Sequence, residues 1–406
     1  MNRKEFHITA HFYLALLIAF CLPLARLTPI FIVLMLLNWS AEGDLKAKMR
    51  AVLKNKLAII FVLFFLMHLV GLIYTSNMDA GLFDVQVKLS LLIFPIILAS
   101  RPFNSEKVNS IMVAFISGGV VSALIMLSRA IYTYYAFGEN NFFYQAFSFL
   151  IHPSYLSMYY NLCIAWILVN LLKRENRFEI STFFSIAIIV FFSVINVLLS
   201  SKMGLLSMLL IYFGAIIWFI VSRKRYVIGI SGLLLMLLIS FVTIRYVPAI
   251  RDRVNAAVTA LSASGDNQAE GESTAVRMLI WKAANQVISE NLLLGAGTGD
   301  ARDALVKEYE KRGMTGALEH KLNAHNEFYQ VFVSLGIIGF LIFFLCLLFP
   351  LGNALKSGDA INILFLLIII LNFLPESMLE TQAGVMFYAF FNALFCFKVN
   401  NQQLTE

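Results

Sequence analysis

Long apolar runs are the feature that most constrains what this chain can fold into. Hydrophobic residues make up 60% of its 406 residues and charged residues 14%, whereas a soluble domain is about half apolar and about a quarter charged. A helix needs about 20 apolar residues to cross a bilayer. The runs therefore predict an all-α polytopic membrane protein with about 12 transmembrane helices. These spans are expected near 10–25, 27–40, 57–75, 88–100, 110–135, 152–172, 180–199, 204–222, 226–247, 327–350, 360–375 and 381–397.

Two of these runs raise particular questions. The first run follows Asn2-Arg3-Lys4, as in a signal peptide, but no small-x-small cleavage site comes after it, so we interpret it as a retained membrane helix. The fourth run, 88–100, is short and contains Phe94-Pro95, so we expect a kink or a partly interfacial position there.

The charges and cysteines exclude several classes of protein. The net charge is +7, and the orientation rule for membrane loops can account for it without a nucleic-acid partner. The cysteines fall inside apolar runs without paired spacing, which is typical of small buried hydrophobic residues and indicates neither a disulfide framework nor a metal cluster. They are Cys21, Cys163, Cys346 and Cys396.

The distribution of cations among the loops predicts the orientation. With a cytoplasmic N-terminus, the loops on that side contain Lys46, Lys48, Arg50, Lys54, Lys56, Arg101, Lys107, Lys173, Arg174, Arg177, Arg223, Lys224, Arg225 and Lys356. The short loops of the other side contain Arg26, Lys88 and Lys202, with Arg129 near a span end. We therefore expect two cytoplasmic termini and three parts: spans 1–9 in 1–247, an outer loop in 248–325, and spans 10–12 with a cytoplasmic tail in 326–406.

The outer loop is predicted to be largely helical. A small, polar stretch at 262–271 should be a mobile loop. Apolar residues at helical spacing then predict one helix from Thr274 to Asn291 and a second from Ala301 to Arg312. Gly295, Gly297 and Gly299 between them have no preceding strand and no following Gly-Lys-Ser/Thr, so a turn is predicted rather than a nucleotide site. These helices would form a small lid on the membrane surface.

His325 is the principal candidate for chemistry. It lies between Asn323 and Asn326 at the boundary of span ten, where a neutral imidazole is well placed to accept a proton from a hydroxyl group. The alternative is a polar helix start, in which an asparagine caps the helix and the histidine is incidental. Spacing alone does not separate the two.

Three further residues could form a positive pocket near the outer leaflet, one suited to a lipid-linked pyrophosphate, and a fourth, His152, could approach it. Arg277 opens the first lid helix and could clamp an anion, or it could be a solvated arginine that packs on Trp281. Lys202 and Arg129 lie near outer span ends, where a membrane-anchoring cation is the alternative. His152 opens span six. Glu376 and Glu380 are the remaining outward acids near the membrane and receive no role.

These motifs together resemble the O-antigen ligase and O-antigen polymerase superfamily of bacterial envelope glycosyltransferases. The resemblance rests on four segments in the order and spacing typical of that family, which cover about 275–350 directly. They are Arg277-Met-Leu-Ile-Trp281, Asn291-Leu-Leu-Leu-Gly295-Ala-Gly297-Thr-Gly299, Ala324-His325-Asn326-Glu327-Phe328 and Ser334-Leu-Gly336-Ile-Ile-Gly339.

The resemblance implies an inverting glycosyl transfer at the periplasmic face of the bacterial inner membrane, without a metal, nucleotide sugar or other cofactor. The donor would be a glycan on undecaprenyl pyrophosphate. His325 would deprotonate the acceptor hydroxyl, its neighbour Asn326 would contribute to substrate binding, and Arg277 would hold the pyrophosphate. Lys202 stands where many members have the arginine of Ser-Arg-x-Gly; the charge is kept, but the bidentate fork is lost.

Several functions remain open. A ligase would use lipid A core oligosaccharide as acceptor, and a polymerase would use more lipid-linked glycan; the chain length and the single large outer loop favour the ligase. A transporter usually has ionisable residues near the midplane, and the predicted spans are almost free of Asp and Glu. A structural scaffold would not require the residues around His325.

Overall fold

The computed structural model describes residues 2–24, 26–173, 181–262 and 274–399. The predicted loop at 262–271, apart from its first residue, and the cations Arg174 and Arg177 lie outside these residues. The described chain contains no β-strand. Its helices are α1 (Arg3–Cys21), α2 (Thr28–Ala41), α3 (Leu45–Lys54), α4 (Lys56–Ile73), α5 (Met78–Lys88), α6 (Ser90–Ser100), α7 (Ser105–Phe137), α8 (Tyr144–Phe147), α9 (Pro153–Lys173), α10 (Thr182–Leu199), α11 (Lys202–Arg223), α12 (Tyr226–Tyr246), α13 (Pro248–Ser262), α14 (Thr274–Glu290), α15 (Ala301–Lys311), α16 (Thr315–Glu319), α17 (Glu327–Ser357), α18 (Ala360–Phe373) and α19 (Gln382–Phe397).

The prediction of an all-α polytopic membrane protein is confirmed. Within the described ranges, nine helical segments are long and apolar enough to cross a membrane, and three shorter apolar helices, α2, α18 and α19, accompany them. Each of these twelve helices corresponds to one of the predicted spans. The apolar pattern therefore located each of these twelve apolar helices.

The prediction was wrong about where the fourth span begins and about Lys88. The span begins at Met78, because α5 and α6 join at Leu89 into one apolar segment. Lys88 is not in an outer loop but inside this span, 1% exposed, and it pairs with Asp84. The spans are therefore not as free of acids as their hydropathy indicates, since hydropathy counts each ion alone and ignores its partner.

The membrane core is centred on α9 and α19. Almost every residue of α9 from Tyr155 to Ile167 is buried, as is almost every residue of α19. Tyr159 of α9 stacks on Phe387 of α19, with 4.4 Å between ring centroids. A helix that is apolar all round is typical of a position inside a bundle. By contrast, only 6% of the apolar stretch of α12 is buried, so this helix lies at the edge of the bundle.

The lid helices form a second, smaller apolar core. Ile280 and Ala284 of α14 pack with Leu305 and Tyr309 of α15, and Ala324 joins them just before α17. The observed helices α14 and α15 end within one residue of the predicted boundaries. The periodicity of the sequence was therefore sufficient to predict the lid helices.

The glycine-rich segment attaches the lid to the membrane helices. Gly336 interrupts α17 with φ 63° and ψ −166°, a conformation that is essentially restricted to glycine. The turn after α14 lies against this break: Ala296 N donates to Val333 O at 2.8 Å, and Ile337 N donates to Leu292 O at 2.9 Å. The predicted turn at Gly295–Gly299 is thus a joint between the lid and α17.

Candidate functional site

The candidate site lies where two connections meet. One connection precedes α17 and contains Asn323–Asn326, and the other, 374–381, joins α18 to α19. Asn326 N donates to Ser377 Oγ at 3.2 Å across the two connections. The Asn326 side chain accepts a hydrogen bond from Tyr329 N at 3.1 Å and so caps α17. The capping function that the sequence left open thus belongs to Asn326, and it leaves His325 available for other contacts.

His325 is held in an unusual backbone conformation. Its φ is +44°, in the left-handed region that residues other than glycine seldom adopt. Its backbone N–H donates to Asn323 Oδ1 at 3.0 Å, an interaction typical of an Asx-turn. The two asparagines around His325 therefore shape the turn that presents the imidazole.

Glu376 is the acid that this imidazole faces. His325 Nδ1 lies 3.3 Å from Glu376 Oε2, and the two side chains are 10% and 18% exposed. Glu376 Oε1 accepts a hydrogen bond from Arg277 Nη2 at 2.6 Å. One carboxylate thus joins the histidine to the arginine, although the sequence analysis assigned Glu376 no role. The available signal was an acid directly after Pro375, beyond a helix that contains no charged residue.

The electrostatics of the site favour an ionised Glu376. Burial by itself would raise its pKa, but the hydrogen bond from His325 and the positive charge of Arg277 outweigh this effect, so the pKa lies below its ordinary value. An ionised carboxylate can only accept hydrogen bonds, so His325 Nδ1 donates to it. Nε2 of a neutral imidazole then has the free lone pair.

Arg277 and Trp281 approach the site from α14. The Arg277 side chain is 16% exposed and lies against Glu376 rather than in open solvent. Trp281 Nε1 donates to Ala324 O at 3.1 Å, and its ring stacks on Tyr329 with 6.0 Å between centroids. Arg277 and Trp281 therefore lie on the face of α14 that contacts the residues around His325.

The other three predicted residues differ in their relation to this centre. Lys202 Nζ lies 3.3 Å from Thr274 Oγ1, at the first residue of α14 and three positions before Arg277. An electrostatic interaction with His152 also lowers the pKa of Glu376, by less than the interactions with His325 and Arg277 do. Arg129 contacts a different segment, donating to Ala146 O at 3.2 Å and lying 4.5 Å from the Phe149 ring centroid. The structure thus brings Lys202 and His152 towards the site and holds Arg129 elsewhere.

Over the described ranges, no group of three or more His, Cys, Asp or Glu side chains is arranged to hold a metal ion.

The fold and the site define a class of protein: a polytopic all-α membrane protein with a His–Glu–Arg group at the end of its spans, under a helical lid. Residues 187–344 match the family described as O-antigen ligase. The matched residues include Lys202, Arg277 and His325, and the match supports the resemblance to the O-antigen ligase superfamily. Members of this family are glycosyltransferase-like ligases or polymerases, which supports an enzyme acting on lipid-linked glycans. No curated protein matches the chain.

Proposed function

We propose that the protein is an O-antigen ligase, which transfers a glycan from undecaprenyl pyrophosphate to lipid A core oligosaccharide at the periplasmic face. The observation on which the proposal rests is the contact of one carboxylate, Glu376, with both His325 and Arg277. This arrangement unites a base with a cation that can bind a leaving group. The match of residues 187–344 to the O-antigen ligase family supports the same chemistry.

The first step of the proposed mechanism is donor binding. Arg277 donates one of its N–H groups to Glu376, and a guanidinium has five such donors in a planar fork that matches phosphate oxygens. Arg277 can therefore bind the donor pyrophosphate while it stays paired with Glu376. Lys202, near the start of the same helix, supplies a second positive charge. Preorganised cations of this kind lower the barrier by several kcal/mol because they stabilise the charge of the departing pyrophosphate.

The second step is attack by the acceptor. His325 Nε2 takes the proton of the acceptor hydroxyl, and the oxygen forms a bond to the anomeric carbon as the bond to the pyrophosphate oxygen breaks. Attack opposite the leaving group inverts the configuration at that carbon. Glu376 stabilises the imidazolium through Nδ1, as a carboxylate does for a catalytic histidine in general. No metal takes part in this scheme.

A polymerase of the same superfamily is the alternative, because an identical site would serve a second lipid-linked glycan as acceptor. The large helical segment that precedes α17 favours the ligase. A transporter is less well supported. A transporter could use the ion pair of Asp84 and Lys88, which lies in the fourth span. Lys88 also contacts Glu380, however, in the same connection as Glu376, so the pair is linked to the candidate site.

The test is a transfer assay with purified protein, undecaprenyl-pyrophosphate-linked glycan and EDTA. Lipid A core and additional donor are supplied as acceptors in separate reactions. Product on lipid A core supports the ligase, and longer lipid-linked glycan alone supports the polymerase. His325→Ala should lower the rate by about 100-fold to 10,000-fold, the usual contribution of a general base. The matched control is His320→Ala, which changes an exposed histidine five residues before His325. Equal activity of both variants would remove the base from the mechanism, and a requirement for a metal would contradict the proposal.

A further inference from the structure

A buried ionic cluster lies beside the candidate site and has no part in the mechanism above. Lys88, at the end of α5, is 1% exposed. Its Nζ pairs with Asp84, one turn earlier on the same helix, and with Glu380 Oε1 at 2.9 Å. His68 of α4 lies beside them, with Nδ1 3.5 Å from Asp84 Oδ2. Charges removed from solvent to this extent depend on one another, since each would be strongly destabilising alone.

Glu380 belongs to the connection that also contains Glu376. Lys88 and Glu380 are 292 residues apart in sequence, so their ion pair joins the fourth span to the connection between α18 and α19. The connection forms a short 3₁₀-helix, Met378–Glu380, directly after Ser377. The position of Glu376 therefore depends on what holds the residues that follow it.

A second buried acid, at the start of α17, also holds the connection 374–381. Glu327, the first residue of α17, is fully buried, and its Oε2 accepts a hydrogen bond from Leu379 N at 2.7 Å. Its Oε1 has no hydrogen-bond partner among the described residues. Since Glu327 follows the segment of His325, these contacts tie the connection to that segment. Three carboxylates, Asp84, Glu327 and Glu380, thus lie around the single ammonium group of Lys88, and Arg302 contributes a more distant charge to Glu380.

Removal of Lys88 would act on the site through this connection. Asp84 and Glu380 would lose the cation that they contact, and a buried carboxylate without a partner tends to move towards water or to become protonated. Glu380 would then no longer anchor the connection, and Glu376 would lose its fixed distance to His325. A shift of about 1 Å in a catalytic group is enough to lower a rate by about 100-fold.

We propose that Lys88 is a positioning residue for the transfer reaction: its ion pair with Glu380 holds the connection 374–381 so that Glu376 meets His325 and Arg277. This inference rests on the proposed function for its catalytic part. The structural part, the coupling of Lys88 to the connection, can be measured without any substrate.

The test compares Lys88→Met with Lys48→Met. Lys48 is also a buried lysine, 3% exposed, and it pairs with Glu42 at 2.8 Å, but its partners lie around α2 and α3 and not at the candidate site. Both variants should lose stability. Only Lys88→Met should increase hydrogen–deuterium exchange in a peptide covering 374–381, including the Leu379 amide. For the folded fraction we expect Lys88→Met to lower kcat by about 10-fold or more, with a smaller change in the KM for donor.

Two additional variants separate positioning from a general loss of folding. Lys88→Arg, which retains the charge, should recover part of kcat. Lys88→Met combined with Glu380→Gln should be no slower than the slower of the two single variants, because both changes remove the same contact.

Unchanged exchange at 374–381 in Lys88→Met would overturn the proposal, with or without an active enzyme. Increased exchange with kcat within about two-fold of the wild type would also overturn it. Increased exchange in a protein whose wild type transfers no glycan would support the coupling and refute the proposed function. The two failures are thus distinguishable.

Discussion

At the scale of single residues, the site depends on a few polar groups whose neighbours leave them little freedom. His325 has a positive φ, which costs about 1–3 kcal/mol for a residue other than glycine. The surrounding hydrogen bonds of Asn323 and Asn326 offset this strain. The imidazole then faces a carboxylate 51 residues away in sequence. The geometry of the candidate base is therefore built into the turn and does not depend on a ligand.

The charge of Glu376 gives a prediction about pH. The pKa of Glu376 in the folded protein is below its ordinary value of 4.5. Its ionised form therefore stabilises the folded state above pH 4.5, and this contribution is lost as the pH falls through the lower, folded-state pKa. We expect Glu376→Gln to be less stable than the wild type at pH 7, with a difference that shrinks below pH 4.5.

Thermal unfolding in detergent, from pH 7 to below pH 4.5, measures the difference in stability between Glu376→Gln and the wild type. Glu319→Gln, an exposed acid on the lid, is the control and should follow the wild type at every pH. A wild-type advantage over Glu376→Gln that stays constant down to the lowest pH would contradict the assigned ion pairs.

At the scale of elements, the interruption of α17 is what joins the lid to the membrane helices. Gly336 turns the backbone out of the helix, so that the groups around it pair with the turn after α14. A Cβ atom at Gly336 would lie 2.4 Å from the Leu293 backbone, closer than any real side chain approaches. The glycine is therefore required both by its φ and by the close contact of two chain segments.

We expect Gly336→Ala to destabilise the protein by at least about 1–3 kcal/mol, the usual cost of backbone strain, with the steric clash in addition. The matched control is Gly352→Ala in the same helix, where a Cβ atom would meet nothing within 4 Å. This change should be neutral or stabilising by up to about 1 kcal/mol.

Thermal unfolding of the two variants in the same detergent provides the comparison, and limited proteolysis of the lid shows whether the joint opens. Equal midpoints for Gly336→Ala and the wild type would show that the joint tolerates a side chain. The close contact between Gly336 and the Leu293 backbone would then be wrong.

At the scale of the whole molecule, the described residues form two apolar cores, and the candidate site lies between them. The larger core fills the bundle and the smaller one lies in the lid. Many large apolar side chains remain exposed on the outer surfaces of the spans, such as those of α12. A bilayer is the solvent that such a surface requires. The polar site then lies where the bundle ends and the lid begins, next to the membrane surface.

The orientation predicted from the loop cations can be tested by cysteine labelling. We expect a membrane-impermeant maleimide to label His320→Cys on the lid in intact spheroplasts. Arg225→Cys, between α11 and α12, should be labelled only after the membrane is permeabilised. The native cysteines are buried or half-buried, so their background should be low. The reverse pattern would invert the topology and remove the periplasmic location of the site.

Much of this protein could be predicted from the sequence alone. The twelve apolar helices, the two lid helices and the turn between them follow from local periodicity, because each depends on neighbouring residues and on the length that a bilayer imposes. The resemblance to the O-antigen ligase family could be recognised from the segments around Arg277 and His325, since these are contiguous motifs and lie within the residues that match that family. The roles of these two residues stay predictions.

Only the tertiary structure revealed what surrounds them. Glu376 and Lys88 were treated as an unassigned outer acid and a loop cation, because sequence patterns evaluate an ion by its neighbours along the chain. Glu376 contacts His325, 51 residues away, and Lys88 contacts Glu380, 292 residues away, in addition to Asp84 on its own helix. A buried charge is stable only with a partner in space, and long-range partners of this kind are determined by the packing of the helices and not by any local pattern.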